Sequence, residues 1–396
     1  MKIAMFTNNY KPYIGGVPVS IERLANGLRK RGHIVDVFAP TYEEQELETG
    51  VYRFKSLNKK LDGDIVVPNM FDRDIRKQFQ KRNYDIIHSH HPMLMGNIAL
   101  SYSKKYDIPL IYTYHTRYEE YMHYVMPSLL NKNKDDTKIY KVAEQIVSKY
   151  TRSFSNKCNL IFAPTPEIKN TMIKRGVYTP ITVIPTGLSE NDFIRDREKT
   201  EEIRKKFNSP NLFCCVSRLG KEKNFPFMLK ALKALKEKWE KPFKMIIIGD
   251  GAERKSLNLL SKKLGLEEEI YFLGNIEHDK LVHYYNACDL FLFSSQSETQ
   301  GIVLLEAMAA ELPVVAVSGS GVNDVVVNGE NGFKTELNED LWIKPIEEIM
   351  GNSYLFNTLK IGAYNTAKEY TAESIAKLTE ENYLQLIQGK VKYVVP

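Results

Sequence analysis

Short apolar runs alternate with helix-length amphipathic segments along almost the whole chain. Lys2–Thr7 has the IAMF core of a buried strand. A loop holding Gly15 and Gly16 follows, and Ile21, Leu24, Ala25 and Leu28 then recur at the helical period across Val19–Arg31. Gly32 stops that helix, and Ile34–Ala39 is the next strand. The same reading gives helix Asp74–Arg82, strand Asp85–Ser89, helix Met93–Lys105, strand Leu110–Thr113, helix Tyr140–Tyr150, strand Leu160–Pro164, helix Pro166–Arg175 and strand Thr182–Ile184. Residues 41–70 are polar and irregular, and read as extended segments and loops.

A second series begins after Pro185-Thr186-Gly187-Leu188 and a charged run, Asp192–Lys206, which together mark an interdomain crossing. Its strands are Phe213–Ser217, Lys244–Ile248, Ile270–Leu273, Leu290–Phe293 and Pro313–Val317. Its helices are Phe227–Lys238, Ala252–Lys263, Leu281–Ala287 and a segment from about Gly301 to Ala310. Val325–Gly329 and Asn331–Gly332 read as turns, and Ile346–Met350, Leu355–Tyr370 and Ala372–Ile387 as helices. Strands that end in glycine and feed helices are the mark of doubly wound α/β sheets. A chain of 396 residues has room for two such domains, 1–187 and 188–372.

The stretch Ser294–Ala316 carries the clearest chemistry. Glu298 lies in the loop before a helix and Glu306 on it, two turns apart, so both acids can face one ligand. A carboxylate accepts two hydrogen bonds from a vicinal diol, so Glu306 suits a ribose and Glu298 a hexose. The opening amides of Gly301, Ile302 and Val303 can face an anion or sugar hydroxyls. An amphipathic helix with two solvated acids is the plainer reading of the same pattern. In the second domain's first loop, Arg218 and Lys223 flank a glycine between strand and helix, which suits a diphosphate leaving group.

In the first domain, His115 stands at the end of strand Leu110–Thr113, where open α/β sheets bind ligands. The adjacent glycines 15 and 16 suit a backbone wrapped round a phosphate or a reacting sugar. His88, His90 and His91 read as a strand-end loop bordering the cleft rather than a metal site. The triplets Asp62-Gly63-Asp64 and Asp72-Arg73-Asp74 read as a turn and a helix start.

Charge sharpens the division. Residues 1–190 hold 28 Lys and Arg against 19 Asp and Glu, a balance of +9, and the remainder holds 27 against 30, or −3. The basic half suggests a domain that meets an anionic surface. Its basic stretch over 131–157 adjoins a Tyr- and Met-rich segment, Thr116–Pro127, suited to an acceptor groove and a lipid headgroup layer, or to a core-facing helix start. Four cysteines without CxxC spacing read as buried, reduced thiols. No apolar run approaches the ~20 residues of a membrane span, and the first strand is too short for a signal peptide.

The chain resembles the retaining glycosyltransferases of family 4, with the two-domain GT-B fold. The likeness spans nearly the full length. It rests on GGV at 15–17, the strand-end His115, SRLGKEKN at 217–224, GDG at 249–251, FLGNI at 272–276 and ETQGIVLLEAMAAELPVVA at 298–316. It implies two Rossmann-like domains facing a cleft, the first binding the acceptor and the second the nucleotide sugar. A C-terminal helix, about 373–396, would pack back on the first. Arg218 and Lys223 would hold the diphosphate, Glu306 the ribose, and Glu298 the donor sugar, with Gln300, Gly301, Ile302 and Val303 beside it. Gly249, Gly274, Asn275 and Ile276 would border the nucleotide, His115 would contact the donor sugar, and Gly15 and Gly16 would close over it.

A narrower likeness, to bacterial diacylglycerol glucosyltransferases, rests on YHTRYEEYMHYV at 114–125 and on Gln300. It implies an acceptor groove at Tyr118, Tyr121, His123 and Tyr124. The expected activity is transfer of a hexose, glucose first, from a UDP-sugar to diacylglycerol at the inner face of the cell membrane. The protein would be cytoplasmic and peripheral, acting with no required cofactor, no metal site and no nucleic acid. Mg2+ alongside the diphosphate is allowed but implied by no residue set. A soluble acceptor (a thiol precursor, sugar phosphate or polysaccharide end) is the alternative within the family. A nucleotide-sugar binding module without turnover is the alternative outside it. Glu311 stands where the family usually has glycine after the helix, a helix C-cap position.

Overall fold

The computed structural model describes residues 1–13, 15–42, 45–61, 65–69, 72–117 and 136–390; over 57–61, 65–68 and 136–140 it describes the backbone alone. It divides into two compact units, Met1–Gly187 with Ala372–Pro396, and Leu188–Thr371.

The strands of the first unit are β1 (Lys2–Phe6), β2 (Ile34–Pro40), β3 (Val51–Phe54), β4 (Ser56–Leu61), β5 (Ile65–Pro68), β6 (Ile86–Ser89), β7 (Leu110–Thr113), β8 (Leu160–Ala163) and β9 (Ile181–Val183). Seven of them form a parallel sheet in the order β3-β2-β1-β6-β7-β8-β9. Both faces are covered, which is why β1, β6, β7 and β8 are apolar runs with almost no exposed side chain. The strand order reverses between β1 and β6, so the loops after these strands flank a topological switch point. Helix Ala372–Ile387 packs on helix Gly16–Lys30, with Ile375, Ala376 and Tyr383 in the same core as Ile21, Ala25 and Leu28.

The second unit contains β10 (Asn211–Val216), β11 (Phe243–Ile248), β12 (Ile270–Gly274), β13 (Leu290–Phe293), β14 (Val314–Val317) and β15 (Gly332–Thr335). They form a parallel sheet in the order β12-β11-β10-β13-β14-β15, the doubly wound order of dinucleotide-binding domains. Its switch point lies between β10 and β13. The loops Ser217–Asn224 and Ser294–Gly301 therefore leave the sheet side by side.

Several expectations change. Residues 41–70 are not merely irregular: β3 joins the main sheet, and β4 and β5 form a separate antiparallel hairpin. Their sequences, VYRF and SLNKKL, are too polar to stand out as strands. The Asp62–Asp64 triplet lies outside the described residues. The charged run contains a helix, Arg197–Phe207, capped by the Asp196 side chain on the Lys199 amide at 3.1 Å. The turn-rich 332 region holds the edge strand β15. The helix read at Ile346–Met350 begins at Glu339, capped by Asn338, and carries Pro345 inside it. Glu311 has φ 59, the left-handed conformation that explains a usual glycine there. Arg195 binds its carboxylate at 3.2 Å.

Candidate functional site

In the second unit the loops after β10, β11 and β12 are fastened backbone to backbone. Ser217 N donates to Ile248 O at 3.0 Å, Leu219 N to Asp250 O at 2.9 Å, and Gly249 N to Gly274 O at 2.8 Å. Gly249 has φ 129, and a Cβ there would meet Ser217 O at 2.1 Å, so only glycine fits. The GDG turn is thus the support on which SRLGKEKN rests. Asn275 is exposed beyond it, and Ile276 is partly buried against the core.

The loop after β13 clamps the other side of the same turn. Ser294 Oγ donates to Lys223 O at 2.7 Å and Ser295 Oγ to Glu222 O at 3.4 Å. This brings Lys223 Nζ to 2.6 Å from Glu298 Oε1, with the two side chains 13% and 14% exposed. Arg218, half exposed, pairs with Glu222 at 2.8 Å. Both cations expected to hold a diphosphate are therefore at the switch point, each paired with an acid. Gly301 caps helix Ile302–Ala309 with φ 74, a conformation favouring glycine, and the amides of Ile302 and Val303 open the helix. Gln300, beside it, is buried.

Glu306 is 5% exposed, so the reading of two solvated acids fails at this position. Buried carboxylates need partners. Here Tyr285 Oη donates at 3.5 Å, and His278 Nε2 sits 3.1 Å away at the start of helix His278–Ala287. Asp192 joins them: one ligand-type atom from each of Asp192, His278 and Glu306 lies within 4.8 Å of the others, a set a divalent cation could use. Sequence reasoning missed all three partners. Only His278, two residues past FLGNI, had a nearby signal.

In the first unit His115 lines an open pocket with Ser20, Arg23, His90, Thr113 and Thr186. Its Nε2 is 2.8 Å from His90 Nδ1, and the two rings stack at 5.1 Å. His88 lies against His90 at 4.2 Å, with Nδ1 2.7 Å from Tyr383 Oη and Nε2 2.6 Å from Thr113 Oγ1. Burial drives all four histidines below the ordinary value, His88 and His91 to about 3, His115 to about 4, and His90 well down. They are a neutral cluster. The strand-end histidines thus belong to the surroundings of His115.

Gly15 is extended and precedes helix Gly16–Lys30. A Cβ on Gly16 would meet nothing within 4 Å. The fold itself does not require glycine there. Tyr118, Tyr121, His123 and Tyr124 lie outside the described residues.

Two family models match the chain, Glycosyltransferase Family 4 over residues 14–191 and Glycosyl transferases group 1 over residues 196–366. The alpha-monoglucosyldiacylglycerol synthase of Acholeplasma laidlawii is 31% identical over 403 residues, covering 99% of each chain. The chain belongs to glycosyltransferase family 4. The enzyme of the same name from Streptococcus pneumoniae is 28% identical, over 98% of this chain and 86% of that one. Among solved structures, Anabaena HepE in complex with UDP-glucose has a TM-score of 0.76 at 21% identity, covering 97% of this chain and all of that one. Sucrose-phosphate synthase from Thermosynechococcus elongatus has a TM-score of 0.77 at 18% identity, covering 98% and 99%. These likenesses show the fold, two Rossmann-like halves of the GT-B class. This family 4 glycosyltransferase has no helix, among its described residues, long and apolar enough to cross a membrane.

Proposed function

We propose that this glycosyltransferase moves a hexose, glucose first, from a UDP-sugar to the hydroxyl of diacylglycerol with retention of configuration. The observation that carries the acceptor is the full-length 31% identity to a relative named for glucosyldiacylglycerol synthesis. Lys223 and Arg218 exchange their carboxylate partners for the diphosphate, whose charge grows as the glycosidic bond breaks. Glu306, oriented by His278 and Tyr285, accepts the ribose hydroxyls. Glu298, released from Lys223, and the amides after Gly301 take the donor sugar, while Gly249 and Gly274–Ile276 border the nucleotide. His115 contacts the sugar as a neutral group. No protein nucleophile is assigned; the departing phosphate takes the acceptor's proton. The cations do the work a metal would otherwise do.

Helix Asp136–Ser155 favours a lipid acceptor. Val142 and Ile146, one turn apart, are 55% and 63% exposed, and Lys141, Lys149 and Arg152 are exposed around them. Exposed apolar side chains with cations on the same helix suit the boundary of an anionic bilayer, at about 1 kcal/mol per basic residue near the surface. In this reading the enzyme acts peripherally on a cytoplasmic membrane face. Co-sedimentation with vesicles of phosphatidylglycerol tests this, with NMR of the anomeric proton in the lipid product. Salt-sensitive binding and an α-linked glucolipid are expected. Transfer only to soluble acceptors, with no vesicle binding, would move the enzyme to the soluble-acceptor branch of its family.

A further inference from the structure

We infer that His90 is a positioning residue: its Nδ1–H holds His115 by Nε2, so that His115 carries its single proton on Nδ1 and presents it as a fixed donor to the sugar-bearing ligand. The inference deepens the proposed function and rests on its reading of His115.

The two rings share one hydrogen bond, His90 Nδ1 to His115 Nε2 at 2.8 Å. His90 is 1% exposed, and its Nε2 has no hydrogen-bond partner among the described residues. A neutral imidazole has one proton to place. Put on His90 Nε2, it has no acceptor among the described residues. Put on Nδ1, it is used in the bond to His115, and Nε2 keeps only a bare lone pair. A buried N–H without an acceptor is the rarer defect of the two. Charging the ring to satisfy both nitrogens is opposed by burial and by the neighbouring histidines.

The ring cannot readily turn away. His88 packs against it with ring centroids 4.2 Å apart and the planes tilted by 32°, and is itself fastened to Tyr383 Oη and Thr113 Oγ1. Thr113, His90 and His115 all line the same cavity. His115 is thereby an oriented neutral donor. It can hydrogen-bond a sugar hydroxyl or a developing oxyanion, and it is not a base.

Two substitutions and a spectrum test this on the full chain. His90→Phe keeps an aromatic ring and removes the donor. His90→Asn places an amide N–H near the position of Nδ1. In 15N–1H correlation spectra of histidine-labelled protein, His115 is expected to carry its proton on Nδ1 in the wild type and in His90→Asn, and to shift toward Nε2 in His90→Phe. The kcat/KM for UDP-glucose is expected to fall about 10- to 100-fold in His90→Phe, and to recover most of that in His90→Asn. A wild-type spectrum with His115 protonated on Nε2 overturns the pairing, whether or not His90→Phe folds. Equal losses in the two variants also overturn it. Undiminished transfer by His115→Phe overturns instead the reading of His115 itself, leaving the tautomer assignment to stand on its spectrum.

Discussion

Removing Lys223 separates the structural from the chemical role of the switch-point ion pair. Lys223→Ala leaves Glu298 with its charge partner gone and only 14% of its side chain exposed. Breaking a buried pair from one side costs about 3–5 kcal/mol, and the residual exposure puts this case at about 3. For a unit of this size that lowers Tm by roughly 6–12 °C. The effect on turnover has a different source. A cation aimed at the leaving diphosphate acts most strongly in the transition state, and its loss is worth about 100- to 1,000-fold in kcat. Glu298→Gln on the Lys223→Ala background removes the stranded charge and should restore about half or more of the lost stability, so the two substitutions are strongly non-additive. It should restore none of the turnover, since the diphosphate still lacks its cation. Thermal melts and UDP release at saturating donor read the two effects separately. Turnover within threefold of wild type in Lys223→Ala would refute the assignment. So would turnover in the double variant that recovers along with Tm.

Gly16→Ala should leave stability within about 0.5 kcal/mol, because a Cβ there meets nothing and alanine suits a helix start. It should still raise KM for the donor severalfold, and unchanged kinetics would remove Gly16 from the donor site. Glu306→Ala should weaken UDP binding by about 10- to 100-fold through two lost charge-assisted hydrogen bonds, with a smaller change in kcat; calorimetry showing equal affinity would exclude the ribose role. The buried histidines make stability fall with acid. Their folded values lie below the ordinary 6.5, so the contribution is fully present above pH 6.5. It is lost as pH falls from 6.5 through the folded values, about 4 for His115 and about 3 for His88 and His91, because the unfolded chain binds protons the folded one refuses. Four such groups give a slope of at most about 5 kcal/mol per pH unit. Urea midpoints that stay level from pH 7 to 5 would contradict the neutral cluster.

The parallel sheets were legible because a strand buried on both faces must be an unbroken apolar run, as in LIYT and LFLF. Segments half exposed, polar or very short were not: β15 begins at a glycine, β4 is polar, and β5 is a four-residue run, IVVP, that ends in proline. Pro345 hid the first turns of its helix, where Asn338 supplies the cap. Among the candidate residues, Arg218, Lys223, Glu298 and Glu306 in the second unit and His115 in the first stood out by motif. Their partners did not. Lys223 meets Glu298 across 75 residues, His278 meets Glu306 across 28, and His90 meets His115 across 25. Such pairings are made by topology, and no local spacing announces them.

Lipid-dependent transfer from a UDP-sugar is what the proposed function stands on. UDP release should be measured with a panel of UDP-sugars, with and without diacylglycerol in anionic mixed micelles. Release from UDP-glucose that depends on the lipid and is lost in Lys223→Ala is expected. Release that ignores the lipid, or no release from any donor in the panel, would contradict it.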